Sequence, residues 1–435
     1  MRYIDSLNLE KNYECFILIE PGLGYIIPVL KEKFINSKII TLHVNESFQE
    51  KEIPAFYSTE PEKVRQFLEK ELKEINTSLV KIIEWRPSMN IYRDEYVKLL
   101  SITVEFLKQD NAEKRTVSAF GKRWFRNFFK NLKIIEKGIL YKTTDIPVII
   151  TGSGPSLEAA IPLIKENQNN CLIIAASSSI MALAENGISA DIIAAADGGN
   201  WAKPHIYPLF RNKNCFEKSH LAINLCAAVP SQCEEKPFLF LNDGSFWQNI
   251  ILHDMKIPSV MIPQRGTVTA SAIDLALTLS SGNIYLAGVD LCTKDIRTHV
   301  RPYSFDYLLS ENSNRYSPVY SKSFIRSNMI KGGGSLEIYA AWFKNQMEIW
   351  PKKIFSIDNI DPQKAANKEE IFKIFQINEN EHKLYEKGLK ILLAALKNSE
   401  YSHNLFLELT PMLFPGEKNK TEYELENAIS EAACV

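Results

Sequence analysis

Residues Pro147-Val148-Ile149-Ile150-Thr151-Gly152-Ser153-Gly154-Pro155-Ser156-Leu157 read as an apolar strand, a glycine-rich turn and the opening of a helix. Gly152 and Gly154 let the backbone approach a ligand closely or take a positive φ. Pro155 suits a first helical turn, where its missing N–H costs nothing. The free N–H groups at such a helix start, together with the helix dipole, favour an anion. Neither standard nucleotide motif is matched. The Gly-Lys-Ser/Thr of a P-loop is absent, and Leu157 stands where the dinucleotide fingerprint has its third glycine. An anion cradle and a tight βα turn with no ligand both fit the pattern.

The same alternation continues outward from that turn. Apolar strands are expected at Pro147–Thr151, Leu172–Ala176, Asp191–Ala196, Leu221–Leu225, Phe238–Leu241, Ser259–Ile262, Ile284–Ala287 and Ile354–Ile357. Helical periodicity lies between several of them, at Ser156–Glu166, Ser178–Asn186, Thr267–Leu279 and Ser335–Trp350. Continuous apolar strands alternating with helices predict an α/β fold: a mostly parallel Rossmann-like sheet covered on both faces. Upstream, Cys15–Ile19, the turn Glu20-Pro21-Gly22-Leu23-Gly24-Tyr25 and Lys38–Val44 form one βαβ unit, followed from Pro61 by a largely helical pattern. That turn has Ile27 in the third-glycine position and reads as structural, although Glu46 after the next strand leaves a binding role open. Three domains follow: residues 1–135, a small α/β domain; 136–358, the central domain that carries the glycine turn; and 359–435, a helical domain. The stretch Leu291–Gly334 is polar and tyrosine-rich, contains Lys331-Gly332-Gly333-Gly334, and reads as a mobile loop or lid.

Composition narrows the class. With 51 Lys plus Arg against 52 Asp plus Glu, the net charge of -1 lacks the basic excess of a nucleic-acid binder. No apolar run approaches the ~20 residues of a membrane span, and Met1–Asn8 lacks the apolar core of a signal peptide. The seven cysteines are scattered with no CxxC pair, as expected for reduced thiols. A cytoplasmic protein is the expectation.

Several polar residues fall at the carboxyl ends of strands, where open parallel sheets bind their ligands. Asp197 and Asp290 end two apolar strands, with Asp243 a third case. Ser177-Ser178-Ser179 offers hydroxyls on the same rim. Gln264-Arg265-Gly266-Thr267 brings a cation and a hydroxyl to a helix start. Capping and turn formation are the competing reading for each. His299, in the polar segment after Asp290, is the candidate base because histidine titrates near neutrality. His205, near Asp197, is the second.

Together the Gly-x-Gly-Pro-Ser-Leu turn, Ser177–Ser179, Asp191-Ile192-Ile193 running into Asp197-Gly198, Gln264-Arg265 and Ile284–Leu291 resemble the motility-associated factor (Maf) family of bacterial flagellin glycosyltransferases. More distantly they are similar to the family-42 sialyltransferases. The resemblance covers residues 147–350 best. It implies transfer of a nonulosonic acid, such as pseudaminic or legionaminic acid, from its CMP conjugate to serine or threonine hydroxyls of flagellin. It also implies that Gly152, Ser153, Gly154, Pro155 and Ser156 hold the CMP phosphate, that Ser177 and Asp197 lie near the cytidine and ribose, and that Arg265 and Thr267 line the donor site. Arg265, with Tyr303 and Tyr307 from the lid, would stabilise the leaving phosphate as a catalytic group, and Asp290 would floor the pocket beneath His299. No metal or other cofactor is expected, because CMP leaves as a phosphomonoester. The chain departs from the sialyltransferases at Ser317-Pro318-Val319-Tyr320-Ser321, where their lid histidine is missing, so His299 is a substitute rather than a matched residue. Two other readings stand: a Mg²⁺-dependent pyrophosphokinase acting on a hydroxymethylpterin, and a non-catalytic flagellin-binding protein.

Overall fold

The computed structural model describes residues 2–7, 9, 12–44, 52–294, 296–331, 335–361, 366–368, 370–377, 381–417 and 420–434. Glu46 and Gly332–Gly334 lie outside the described residues. The chain divides into two compact units, Met1–Ala119 and Phe120–Val435.

The first unit holds four parallel strands, β1 (Cys15–Ile19), β2 (Lys38–His43), β3 (Ala55–Tyr57) and β4 (Val80–Glu84), in the order β3-β2-β1-β4. Every residue of β1 is buried, because alternate side chains feed two cores. Cys15, Ile17 and Ile19 pack with Leu68, Tyr96 and Leu99, while Phe16 and Leu18 pack with Ile27 and Leu30. At the end of β1 the buried Glu20 takes φ 43°, and its Oε2 accepts the Val44 N–H at 2.6 Å. That carboxylate ties the ends of β1 and β2, so the first glycine turn has an internal acid as its closing element. β4 interrupts the expected helical stretch between the helices Pro61–Leu72 and Arg93–Ile134.

The second unit carries β5 (Lys137–Tyr141), β6 (Val148–Thr151), β7 (Leu172–Ala176), β8 (Ile192–Ala195), β9 (His220–Asn224), β10 (Phe238–Asn242), β11 (Ser259–Met261), β12 (Ile284–Ala287), β13 (Ile354–Ser356) and β14 (Phe372–Gln376). They form one sheet in the order β13-β12-β6-β7-β8-β9-β10-β5-β14, with β11 also against β10. All neighbours are parallel except β5 and β14. The predicted α/β class and all eight predicted central strands are present, with ends shifted by one residue or so. Val148, Ile150, Leu172, Ile174, Ile192 and Ala194 share one core with Ile273 and Leu279 of the helix Val268–Leu279. Chain order runs outward from β6 through β7 to β10, then returns to place β12 on β6's other side. The order therefore reverses between β6 and β12, where such sheets open a ligand crevice at their carboxyl edge.

The division at Ala119 falls inside the helix Arg93–Ile134 rather than at 135. Downstream of it, Phe125 and Phe128 of that helix meet the fully buried Trp247 at ring separations of 5.2 and 4.7 Å. Residues after 358 also belong to the second unit. β14 extends the sheet, and the helix Glu381–Leu396 packs on the helix Phe246–Asp254.

Trp247→Ala is expected to lower unfolding stability by about 3–5 kcal/mol, as for other buried large aromatics. Urea denaturation measures it, and a loss below about 1 kcal/mol contradicts this packing.

Candidate functional site

At the reversal point the glycine turn and the loop after β12 are interlocked. Gly152 N–H donates to Ala287 O and Gly154 N–H to Gly288 O, both at 2.8 Å. Ser156 N–H donates to Asp290 Oδ2 at 2.8 Å. A Cβ at Gly152 would sit 2.4 Å from Gly288 O, and one at Gly154 would sit 2.2 Å from Asp290 Oδ2. The glycines are thus required by the approach of residues 288–290. This differs from the expected phosphate cradle. The N–H groups of Gly154 and Ser156 are already donated inside the protein, and Asp290 supplies the anion at the start of the helix Leu157–Asn167. The Ser153 and Ser156 hydroxyls, half-buried, have no hydrogen-bond partner among the described residues.

The next stretch of rim is built by β7 and β8. Ser179 Oγ lies 2.8 Å from Thr151 Oγ1 and donates to Ala176 O at 2.8 Å, pinning β6 to β7 and leaving Ser177 buried beside it. Asp197 projects from the end of β8 as an exposed residue, its Oδ1 accepting the Gly199 N–H at 2.7 Å. Gly198 fits beneath Trp124, whose ring carbon would be 2.4 Å from a Cβ there. Asn127 Nδ2 donates to Gly198 O at 3.0 Å and Cys226 O at 2.9 Å. Asn131 Nδ2 donates to Leu225 O at 2.7 Å and Ala227 O at 2.9 Å. These two asparagines, four apart on one helix face, hold both rim loops and were missed in the sequence reading. Their signal was polar residues recurring at helical spacing between Phe125, Phe128 and Phe129.

The segment expected as a mobile loop or lid contains the helices Asp306–Glu311 and Val319–Lys331, and its first part is fastened to the glycine turn. Arg297 Nη1 donates to both Glu158 carboxylate oxygens, at 2.7 and 3.0 Å. Arg301 N–H adds a third hydrogen bond to Glu158 at 3.0 Å, and Val300 N–H donates to Ser153 O at 2.8 Å. Beyond this clasp, aromatic rings of the segment gather around His205. His299 stacks flat on the buried Tyr303 at 4.1 Å, with its Nδ1 2.7 Å from Thr298 Oγ1. Tyr303 and Phe305 lie 5.3 and 4.8 Å from the His205 ring, and Trp201 packs on Phe305 at 5.9 Å. Burial holds the His205 imidazole down to about 4, against the opposing charge of Asp197. The structure therefore brings together Gly152–Ser156, Asp290, His299, Tyr303, His205 and Asp197. Tyr307 stands exposed on the helix Asp306–Glu311.

Arg265 and Thr267 are engaged elsewhere. Arg265 Nε donates to Asp274 Oδ2 at 2.6 Å, and its guanidinium lies 5.7 Å from the Trp342 ring centre. Asp274 Oδ1 also accepts the Trp350 Nε1–H at 2.9 Å. Thr267 Oγ1 caps the helix Val268–Leu279 by accepting the Ala270 N–H at 3.2 Å. Their contacts in this structure hold that helix start in place. Asp243 accepts from the amides of Gln248 and Gln264 and from Ser245. Among the described residues no group of three His, Cys, Asp or Glu side chains is gathered as a metal-ligand set, and no helix is long and apolar enough to cross a membrane.

Gly154→Ala should drive Asp290 off the Ser156 N–H and cost about 1–3 kcal/mol through overpacking. Thermal unfolding should show part of that loss recovered in Gly154→Ala/Asp290→Gly. A Gly154→Ala protein as stable as the parent contradicts the interlock.

The sequence model of a family described as 6-hydroxymethylpterin diphosphokinase MptE-like matches residues 122–295. An uncharacterized protein of Treponema pallidum (strain Nichols) is 28% identical over 265 residues, 60% of this chain and 56% of that protein. The chain thus spans a little over half the length of that curated relative. The structure of the Maf glycosyltransferase from Magnetospirillum magneticum AMB-1 superposes with a TM-score of 0.56 at 15% identity, covering 97% of this chain and 72% of that one. The α/β architecture of this chain, from its first unit to its C-terminal helices, is the fold of that glycosyltransferase.

Proposed function

We propose that the protein is a glycosyltransferase that moves a nonulosonic acid from a CMP conjugate to serine or threonine hydroxyls of flagellin in the cytoplasm. The observation that carries this reading is the extent of the fold likeness. It spans 97% of the chain, whereas the MptE-like match ends at residue 295, before most of the lid segment, β13, β14 and the C-terminal helices. The sequence resemblance at the glycine turn, Ser177–Ser179, Asp197-Gly198 and Ile284–Leu291 points the same way.

In this reading the donor lies along the carboxyl edge of β6, β7 and β8. The Ser153 and Ser156 hydroxyls receive the phosphate beside the Asp290-capped helix, and Ser177 and Asp197 face the cytidine and ribose. Asp290 acts by fixing the turn. Tyr303 and Tyr307 approach the leaving phosphate from the clasped segment, where hydrogen bonds aimed at developing charge lower the barrier. CMP departs as a phosphomonoester, so the proposed chemistry calls for no metal. The acceptor oxygen attacks the anomeric carbon from the face opposite CMP and inverts it, and its proton passes to a histidine of the His205–His299 rim.

The MptE-like match keeps one second reading in view, transfer of pyrophosphate from ATP with Mg²⁺ to a hydroxymethylpterin. Asp197, Asp243 and Asp290 are the carboxylates at this edge. Each already accepts a hydrogen bond from within the protein, and among the described residues they are not gathered into a metal-ligand set.

Two measurements separate these readings. Calorimetric titration should show CMP binding more tightly than ATP with Mg²⁺; the opposite order contradicts the transferase. Flagellin from cells carrying the gene should exceed, in intact mass, flagellin from a deletion strain by whole nonulosonic acid increments. Equal masses would overturn the proposed acceptor.

A further inference from the structure

We propose that His205, on the helix Lys203–Ile206 behind the Asp197 rim, is the residue that accepts the proton of the acceptor hydroxyl, while His299 positions Tyr303 against it. The assignment rests on the transferase reading above.

The two histidines occupy different surroundings. His299 is parallel to the Tyr303 ring, 13° between planes, and its Nδ1 is engaged with Thr298 Oγ1. A flat ring used as a stacking surface with one nitrogen engaged is suited to holding its neighbour. His205 is instead met edge-on by Phe305, at 74°, and at a tilt by Tyr303, at 47°. Its Nδ1 is buried with no hydrogen-bond partner, whereas Nε2 is not sealed in this way. A buried, unpartnered ring nitrogen carries a free-energy cost, which a ligand or ligand-bound water at this edge would relieve. Ser304, between the two aromatic residues that enclose the ring, also has a buried hydroxyl without a partner. Two orphaned polar atoms therefore occur where the clasped segment closes over the rim, as expected of a site completed by a ligand or by ligand-bound water.

The charged and titratable groups on the surrounding elements are few. Among the described residues they are Asp197 in the loop after β8, Lys203 on the same helix and Tyr207 at its end, Lys130, whose charge acts on Lys203, Glu185 and Arg211 on the helices packed against it, and His299, Tyr303, Arg301 and Asp306 in the clasped segment. Arg301 and Asp306 are paired with each other at 3.9 Å. Asp197 is the group whose charge acts on His205, opposing burial. The imidazole is thus neutral throughout the physiological range in the free protein and able to take a proton. A bound donor brings a phosphate and a sugar carboxylate to the same edge, and their negative charge makes His205 more basic when a base is required.

The step balances simply. The acceptor oxygen forms a bond to the anomeric carbon, and the bond from that carbon to the phosphate oxygen breaks with its electron pair leaving on CMP. The hydroxyl proton moves to His205 Nε2 and from there to solvent.

Reconstituted transfer to flagellin, with CMP-pseudaminic acid as donor, tests the assignment. His205→Gln is expected to lower kcat at least a hundredfold with CMP affinity within about twofold of the parent. His299→Gln should lose less than tenfold, with KM and kcat both altered as Tyr303 loosens. For the parent protein, kcat/KM should stay level from pH 7 to about 5.5, because it reports the free enzyme's groups and His205 is held to about 4. A profile falling below about pH 6.5, the ordinary histidine value, would overturn the assignment even if His205→Gln fails to fold. Near-parental transfer by a folded His205→Gln would overturn it while leaving the transferase intact. Absence of transfer by the parent protein would overturn both.

Discussion

The hydrogen bond from Ser156 N–H to Asp290, with the two backbone bonds beside it, sets the shape of the whole carboxyl edge. It closes the two loops that flank the point where strand order reverses, and it does so only because Gly152 and Gly154 carry no side chain. A carboxylate at a helix N-terminus is worth about 0.3–2 kcal/mol through the dipole and the orphan N–H groups. Its larger effect here is geometric. Asp290 fixes where the chain leaves β12, and so where Arg297 and Val300 meet Glu158 and Ser153. The clasp then decides which aromatic residues reach His205. One backbone approach thus propagates into the placement of side chains that come from β6, β8 and a segment more than a hundred residues later.

This arrangement changes how a glycine turn at a helix start is to be understood. The same residue pattern serves an external anion or an internal carboxylate, since both satisfy the same N–H groups. In the first unit an acid closes the turn by a different contact: Glu20, after β1, accepts the N–H of Val44, just after β2. Both turns therefore carry an acid that braces them from within the protein.

Much of the fold was legible because parallel strands buried on both faces must be continuously apolar, as in Leu172–Ala176 and Ile284–Ala287. Strands that lacked this property were not. Val80–Glu84 and Phe372–Gln376 carry charged or polar residues because they lie at sheet edges, and each sits in a stretch with helical periodicity. The site was legible where strand ends deliver residues: Asp197, Asp290 and the glycine turn all stand at the rim. It was not legible where long-range pairing decides a residue's role. Arg265 looked like a donor-site cation, and its partner Asp274 stands two helical turns on, a spacing that does not announce a salt bridge. Asn127 and Asn131 act on backbone carbonyls about seventy to a hundred residues away, contacts with no local signature. The lid looked structureless because the clasp of Arg297 on Glu158 cannot be inferred from either residue's neighbours.

The direct measurement is to incubate purified protein, flagellin and CMP-pseudaminic acid in EDTA, following CMP release and intact flagellin mass together. The account predicts one CMP released for each sugar increment on flagellin, without added metal. Release of AMP from ATP and Mg²⁺ in the presence of a hydroxymethylpterin, with flagellin unchanged by the CMP-sugar, would contradict it.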